Sequence, residues 1–153
     1  MYTEFVRKSA SSSKTTAKKT TTASSSSYRT KAVSYAKRRV GDKYSQSRRN
    51  QKGYADCSSL MRDAYKSASG KYIGNTTYEQ LELMHSSISS VRQATVGDLV
   101  FHQNGSNHVG IYLGNGKVLH ASQTAGKVKI STFSSSSRYW DTGCNAAGYC
   151  VKH

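Results

Sequence analysis

Cysteine and histidine are the residue types able to supply nucleophile and base chemistry, and they fall where the chain passes from helical to strand-like patterning. In "YADCSSLMRDAYKSA", Cys57 directly follows Asp56 and precedes Leu60, Met61, Ala64, Tyr65 and Ala68, apolar residues at helical spacing that stop before Gly70. Asp56 is a good N-cap, which puts Cys57 at the first helical position. There the positive end of the helix dipole and the unpaired backbone N–H groups favour thiolate over thiol. A nucleophile needs that environment, but a packing cysteine fits the same position, and this stretch alone leaves both readings open.

His108 and His120 flank the turn in "HVGIYLGNGKVLHAS". A two-residue Asn115-Gly116 turn pairs 114 with 117 and sends the two side chains to opposite faces. A three-residue loop, Gly114-Asn115-Gly116, pairs 113 with 117, sets His120 opposite Gly110 and puts both histidines on one face. Glycine on each side of the asparagine suits the looser loop. The expectation is therefore a loop of odd length or a bulge, with both imidazoles on the sheet face covered by the Cys57 helix. One imidazole then reaches the sulfur and the second holds its other nitrogen, the nucleophile, base and orienter of acyl transfer.

These groups must be held by two kinds of element. "YRTKAVSYAKRRVGDKY" spaces Ala32, Val33, Tyr35, Ala36 and Val40 as a basic amphipathic helix that stops at Gly41. Its Lys37, Arg38 and Arg39 read as nucleic-acid contacts or, more commonly, as a solvated face. The second half, "VGDLVFH", "HVGIYLGNGKVLHAS" and "KVKISTF", consists of short β-rich runs separated by Gly and Asn. Helices first and strands after predict an α+β fold with an antiparallel meander on which the Cys57 helix packs.

Composition sets the limits. The chain has 153 residues, 35% of them hydrophobic, enough for one domain. "SASSSKTTAKKTTTASSSS" offers no large apolar side chain to bury, so residues 1–28 are expected to be a disordered basic tail or linker and residues 29–153 the domain. Lys+Arg 23 against Asp+Glu 8 gives a formal charge of +15, which attracts a polyanion: nucleic acid, an anionic membrane or an acidic wall polymer. No apolar run is long enough to span a bilayer, and the opening lacks the continuous hydrophobic segment of a secretory signal.

"YADCSSLMRDAY", "VGDLVFH", "NHVGIYLGNGKVLHAS" and the upstream "VGDKY" resemble, in order and spacing over roughly residues 30 to 133, the motifs of the NlpC family of cell-wall cysteine peptidases. The resemblance implies a papain-like α+β fold. It matches Cys57 to the nucleophile, His108 to the base, His120 to the orienting polar residue and Tyr44 to a tyrosine near the nucleophile. It also places Asp56, Ser58, Thr76, Thr77 and Gln80 with Tyr44 at the substrate groove or oxyanion. The pattern departs from the family at Ser59, where glycine is usual, and at Gly74-Asn75, where Pro-Arg is common.

The implied activity is hydrolysis of amides in peptidoglycan stem peptides, most often from γ-D-glutamate to a diamino acid. A same-fold muramoyl–alanine amidase or acyltransferase, and a non-catalytic module binding anionic wall polymers, are the alternatives. The implied setting is extracytoplasmic, with stem peptides as partner, no specific nucleic acid, no cofactor and a monomeric chain. Cys144 and Cys150 form a small disulfide, stay reduced, or join His153 in an incomplete metal site, with the disulfide slightly favoured and no metal expected. His85 and His102 are expected to be non-catalytic, and Asp98 to satisfy a turn.

Overall fold

Tyr28, Ala32, Val33 and Ala36 lie on one stripe of a long helix and press it against the rest of the chain. A computed structural model describes residues 14–103, 107–133 and 139–153, with side chains from residue 24 onward. Helix α1 (Lys14–Arg38) begins well ahead of residue 28, which corrects the expected boundary of regular structure. The reason is local: the stretch carries no Pro or Gly, so nothing stops the packed turns from propagating backward. Tyr28 is the first apolar side chain of α1 that packs against the core among the described residues. Residues 1–13 of the expected tail lie outside the described residues.

Helix α2 (Cys57–Ser69) starts and stops where its signals stand. The Asp56 carboxylate accepts the Ser59 N–H at 2.9 Å and the Ser59 hydroxyl accepts the Asp56 N–H at 3.0 Å, a reciprocal cap. At the other end Gly70 takes a left-handed φ of 77° and donates its N–H to the Lys66 carbonyl. Leu60, Met61, Ala64 and Tyr65 are fully buried, and burial of Leu60 or Met61 contributes about 2 kcal/mol each. Helix α2 packs against α1, and the C-terminal helix α4 (Ala146–Lys152) packs against both.

The sheet has the order β2-β1-β7-β6-β5-β4-β8-β3 among the described residues. Its central strands are β4 (Leu99–His102), β5 (His108–Gly114), β6 (Lys117–Ser122) and β7 (Lys127–Thr132), all antiparallel neighbours. At one edge β1 (Lys43–Tyr44) pairs in parallel with β2 (Tyr54–Ala55), a departure from the wholly antiparallel expectation. At the other lie β8 (Thr142–Cys144) and β3 (Ile88–Ser89). Alternation is strict in the centre: Leu99, Phe101, Val109, Ile111, Leu119 and Ala121 join the helix-side core. Val100 and Val118 pack with Trp140 in a second cluster, on the other face.

The β5–β6 hairpin resolves the choice of turn. Asn115 and Gly116 both take positive φ, 53° and 70°, in a two-residue tip that pairs Gly114 with Lys117. Leu113 is then an extra residue, and beyond it Tyr112 pairs with Val118 and Ile111 with Leu119. The bulge restores the register of a three-residue loop and brings Gly110 beside His120. A Cβ on Gly110 would lie 2.6 Å from Val118 Cγ1, 3.0 Å from the Leu119 carbonyl oxygen and 3.1 Å from His120 Cβ. Gly110→Ala is therefore expected to push β6 away, lowering stability by about 1–3 kcal/mol in thermal or denaturant melts.

Candidate active site

Cys57 stands at the first turn of α2, where that helix meets the start of β5. Its half-buried sulfur feels the backbone N–H groups of Val109 and Ser58, which places it one residue from His108 along the strand. Cys57, His108 and His120 line one cavity of about 460 Å³ together with Tyr44, Ser131, Tyr139 and Trp140.

The two imidazoles share a face, as expected, but the face is corrected. Val109 and Ile111 on β5, and Leu119 and Ala121 on β6, point into the helix-side core. His108 and His120, of opposite parity, therefore sit on the other face with Trp140. The indole stacks on His108 at 5.5 Å between ring centroids and meets the His120 ring edge-on at 5.7 Å. Cys57 shares their cavity because it is the first residue of α2, beside the start of β5, and not part of the buried stripe. His108 Nε2 lies 2.8 Å from His120 Nδ1, and His120 Nε2 lies 2.8 Å from Ser131 Oγ.

Burial dominates the electrostatics. It pushes the Cys57 thiol up to about 11, with the Asp56 carboxylate adding to the rise, while the backbone N–H donors oppose it. The thiolate-favouring effect of the helix start is thus outweighed, which corrects the sequence expectation. Burial also lowers His108 to about 4, helped by His120 and His102 and opposed by Asp56. His120 falls to about 4 through burial and then Lys129. Burial thus favours the neutral form of both the Cys57 thiol and the His108 imidazole.

These shifts predict the acid behaviour. In the unfolded chain both histidines bind protons near their ordinary 6.5, and in the folded chain only near 4. Between those values the unfolded state holds more protons, so stability is complete above about 6.5 and declines as pH falls toward 4. The expected loss, after allowance for solvent, is on the order of 3 kcal/mol for the pair. Melts across this range check it, and His120→Gln should flatten the slope.

Other residues singled out in the sequence build the support behind the cavity. Arg49 Nη1 lies 3.2 Å from the buried Asp56 carboxylate, 3.3 Å from Ser58 Oγ and 2.8 Å from the Asn75 carbonyl. Fully buried Gln80 donates to the carbonyls of Ser58 at 2.9 Å and Gly74 at 3.1 Å. Thr76 caps helix α3 (Thr77–Leu83) by accepting the Glu79 N–H at 3.1 Å, and Thr77 is buried. Of the groove residues, Tyr44 lines the cavity, whereas Asp56, Ser58, Thr76, Thr77 and Gln80 do not. Asp56 and Ser58 lie at the start of the Cys57 helix and Gln80 is tied to the Ser58 carbonyl, while Thr76 and Thr77 begin α3.

The disulfide expectation is also corrected. All three cysteines are free thiols. Cys144, on β8, is buried against the Met84 sulfur at 3.9 Å, whereas Cys150, on α4, bonds Ser69. His153 Nδ1 bonds the Tyr149 carbonyl, and no metal-binding group of His, Cys, Asp or Glu occurs among the described residues. His102 stacks on Tyr139 at 3.9 Å and bonds its carbonyl through Nδ1. Asp98 accepts the Thr95 N–H at 2.9 Å and pairs with Arg29 at 2.7 Å.

Sequence reasoning missed Ser131, Tyr139 and Trp140. Signals existed: Ser131 has the parity in "KVKIST" opposite to Val128 and Ile130, and Trp140 is the one tryptophan in the chain.

Comparison with known proteins places this geometry among relatives. The NlpC/P60 family profile matches residues 41–147. Murein DD-endopeptidase MepS/Murein LD-carboxypeptidase of Escherichia coli K12 is 38% identical over 94 residues, 60% of this chain and 47% of that protein. A probable endopeptidase NlpC homolog of Haemophilus influenzae is 35% identical over 101 residues, 66% of this chain and 51% of that protein. The chain thus spans about half the length of these curated relatives. Among solved structures, the NlpC/p60 domain of peptidoglycan hydrolase SagA superposes with a TM-score of 0.65 at 30% identity, covering 76% of this chain and 97% of that one. Peptidoglycan hydrolase RipB of Mycobacterium tuberculosis gives 0.68 at 27% identity, covering 88% and 72%.

Proposed function

The chain belongs to the NlpC/P60 family, and from that membership and the site's geometry we propose that it is a cysteine peptidase hydrolysing amide bonds in the peptide stems of peptidoglycan. The observation that carries the reading is Cys57 at a helix start, in one cavity with the hydrogen-bonded His108–His120 pair.

In this reading His108 Nε2 is engaged by His120, so the Cys57 proton passes to His108 Nδ1 as sulfur attacks the scissile carbonyl. The backbone N–H of Cys57 steadies the oxyanion, with the Tyr44 hydroxyl beside it. Burial raises Tyr44 above the ordinary phenol range, which keeps that hydroxyl protonated as a donor. The C–N bond breaks, His108 returns its proton to the leaving amine, and a thioester remains on Cys57. Water then gives a proton to His108 and its oxygen to the acyl carbon, and the proton returns to sulfur as the acid departs.

The bond proposed is that from γ-D-glutamate to the diamino acid. The formal charge of +15 suits a wall rich in carboxylates and phosphates, and the setting proposed is extracytoplasmic. No described helix is long and apolar enough to cross a membrane. Digestion of purified sacculi followed by mass spectrometry of the muropeptides tests the assignment. The expected products gain one water, with a new amine on the diamino acid and a new carboxyl on glutamate. Release of stems cut at the muramoyl–alanine bond would assign the amidase alternative, and no release at all would leave the wall-binding module.

A further inference from the structure

Ser131 sits on β7 two residues from Lys129, the register partner of His120, and its hydroxyl lies 2.8 Å from His120 Nε2 on the wall of the cavity. Each neutral imidazole carries one N–H and one bare nitrogen, so the two contacts His108 Nε2 to His120 Nδ1 and His120 Nε2 to Ser131 Oγ must run in one direction together. If Ser131 accepts, His120 carries its proton on Nε2 and presents a bare Nδ1. His108 then donates from Nε2, and its own Nδ1 is bare. If Ser131 donates, every proton shifts one nitrogen over, and His108 presents an N–H at Nδ1 that can accept nothing.

We propose that Ser131 is a positioning residue of the site: by accepting the His120 Nε2–H it sets the tautomers of both histidines and leaves His108 Nδ1 as the bare nitrogen that takes the Cys57 proton. This rests on the reading of Cys57 and His108 as nucleophile and base. The groups around the relay leave it neutral across the working range. Lys129 on β7 opposes protonation of His120, His102 on β4 and His120 on β6 oppose that of His108, and Asp56 ahead of α2 favours it less strongly than burial disfavours it. A hydroxyl also suits the role because it accepts one hydrogen bond while turning its own proton toward the cavity.

Ring-nitrogen NMR of the ¹⁵N-histidine-labelled full chain at pH 7 tests the tautomers without any substrate. The expected spectrum has bare Nδ1 and protonated Nε2 for both His108 and His120. Ser131→Ala is expected to mix the two tautomers and to lower kcat by about tenfold at nearly unchanged KM, while Ser131→Thr restores most of both. In a His120→Gln background, which has no tautomer to set, Ser131→Ala should add little further loss. A wild-type His120 protonated on Nδ1, or tautomers and kcat both unmoved in Ser131→Ala, would overturn the proposal. Because the NMR readout does not depend on turnover, correct tautomers in a protein that cleaves nothing would instead count against the peptidase reading.

Discussion

Cys57→Ala is expected to lower muropeptide release by about 10⁴-fold or more while leaving the melting temperature unchanged. The loss follows because the other two thiols are buried, with burial raising Cys144 to about 12 and raising Cys150 as well, and neither lines the cavity. The intact fold follows because the elements that start α2 do not involve the sulfur. Asp56 still caps through Ser59, Arg49 still pairs with Asp56, and alanine is readily accepted into a helix. Paired activity and melting curves check both halves. Turnover within tenfold of the unsubstituted protein in a well-folded Cys57→Ala chain would remove Cys57 as the nucleophile.

His108→Ala should cost about 10² to 10⁴ in kcat, the usual worth of a positioned acid–base group. His120→Ala should cost less, about tenfold, because it leaves the base in place and removes only its orientation. The order of the two effects is the informative result. The acid limb of kcat/KM adds a second readout: His108 is held near 4, so its basic form persists well below the ordinary histidine range, and activity should fall toward pH 4 and not at 6.5. An acid limb near 6.5, unchanged by His108→Ala, would place the essential base elsewhere.

Much of the site was legible because local chemistry controlled it. The Asp56 cap, the Gly70 stop and the stripe from Leu60 to Ala68 depend on residues within a few positions of one another. The shared face of His108 and His120 was legible through the hairpin, since glycines on both sides of Asn115 permit the positive φ values that the tip and its bulge require. Which face they share was not legible. Alternation along β5 gives relative parity, but the identity of the helix-side face depends on how Val109 and Ile111 pack across the sheet.

The remaining differences also have tertiary causes. Gln80 resembles a groove residue in sequence, yet its amide is used inside the protein by two carbonyls. The thiolate expectation treated the helix dipole alone and lacked the burial that outweighs it. Ser131 and Trp140 reach the histidines only through strand pairing and packing across many residues, and no local pattern encodes that.

The central claim is that Cys57 attacks the stem amide and carries the acyl group, and intact-protein mass spectrometry of samples quenched in acid during turnover tests it most directly. The account predicts a transient adduct equal to the acyl half of the cleaved stem, mapped to the peptide containing Cys57, with no counterpart in Cys57→Ala. Products appearing at full rate with no adduct on Cys57, after quench times short enough to capture the first turnover, would contradict it.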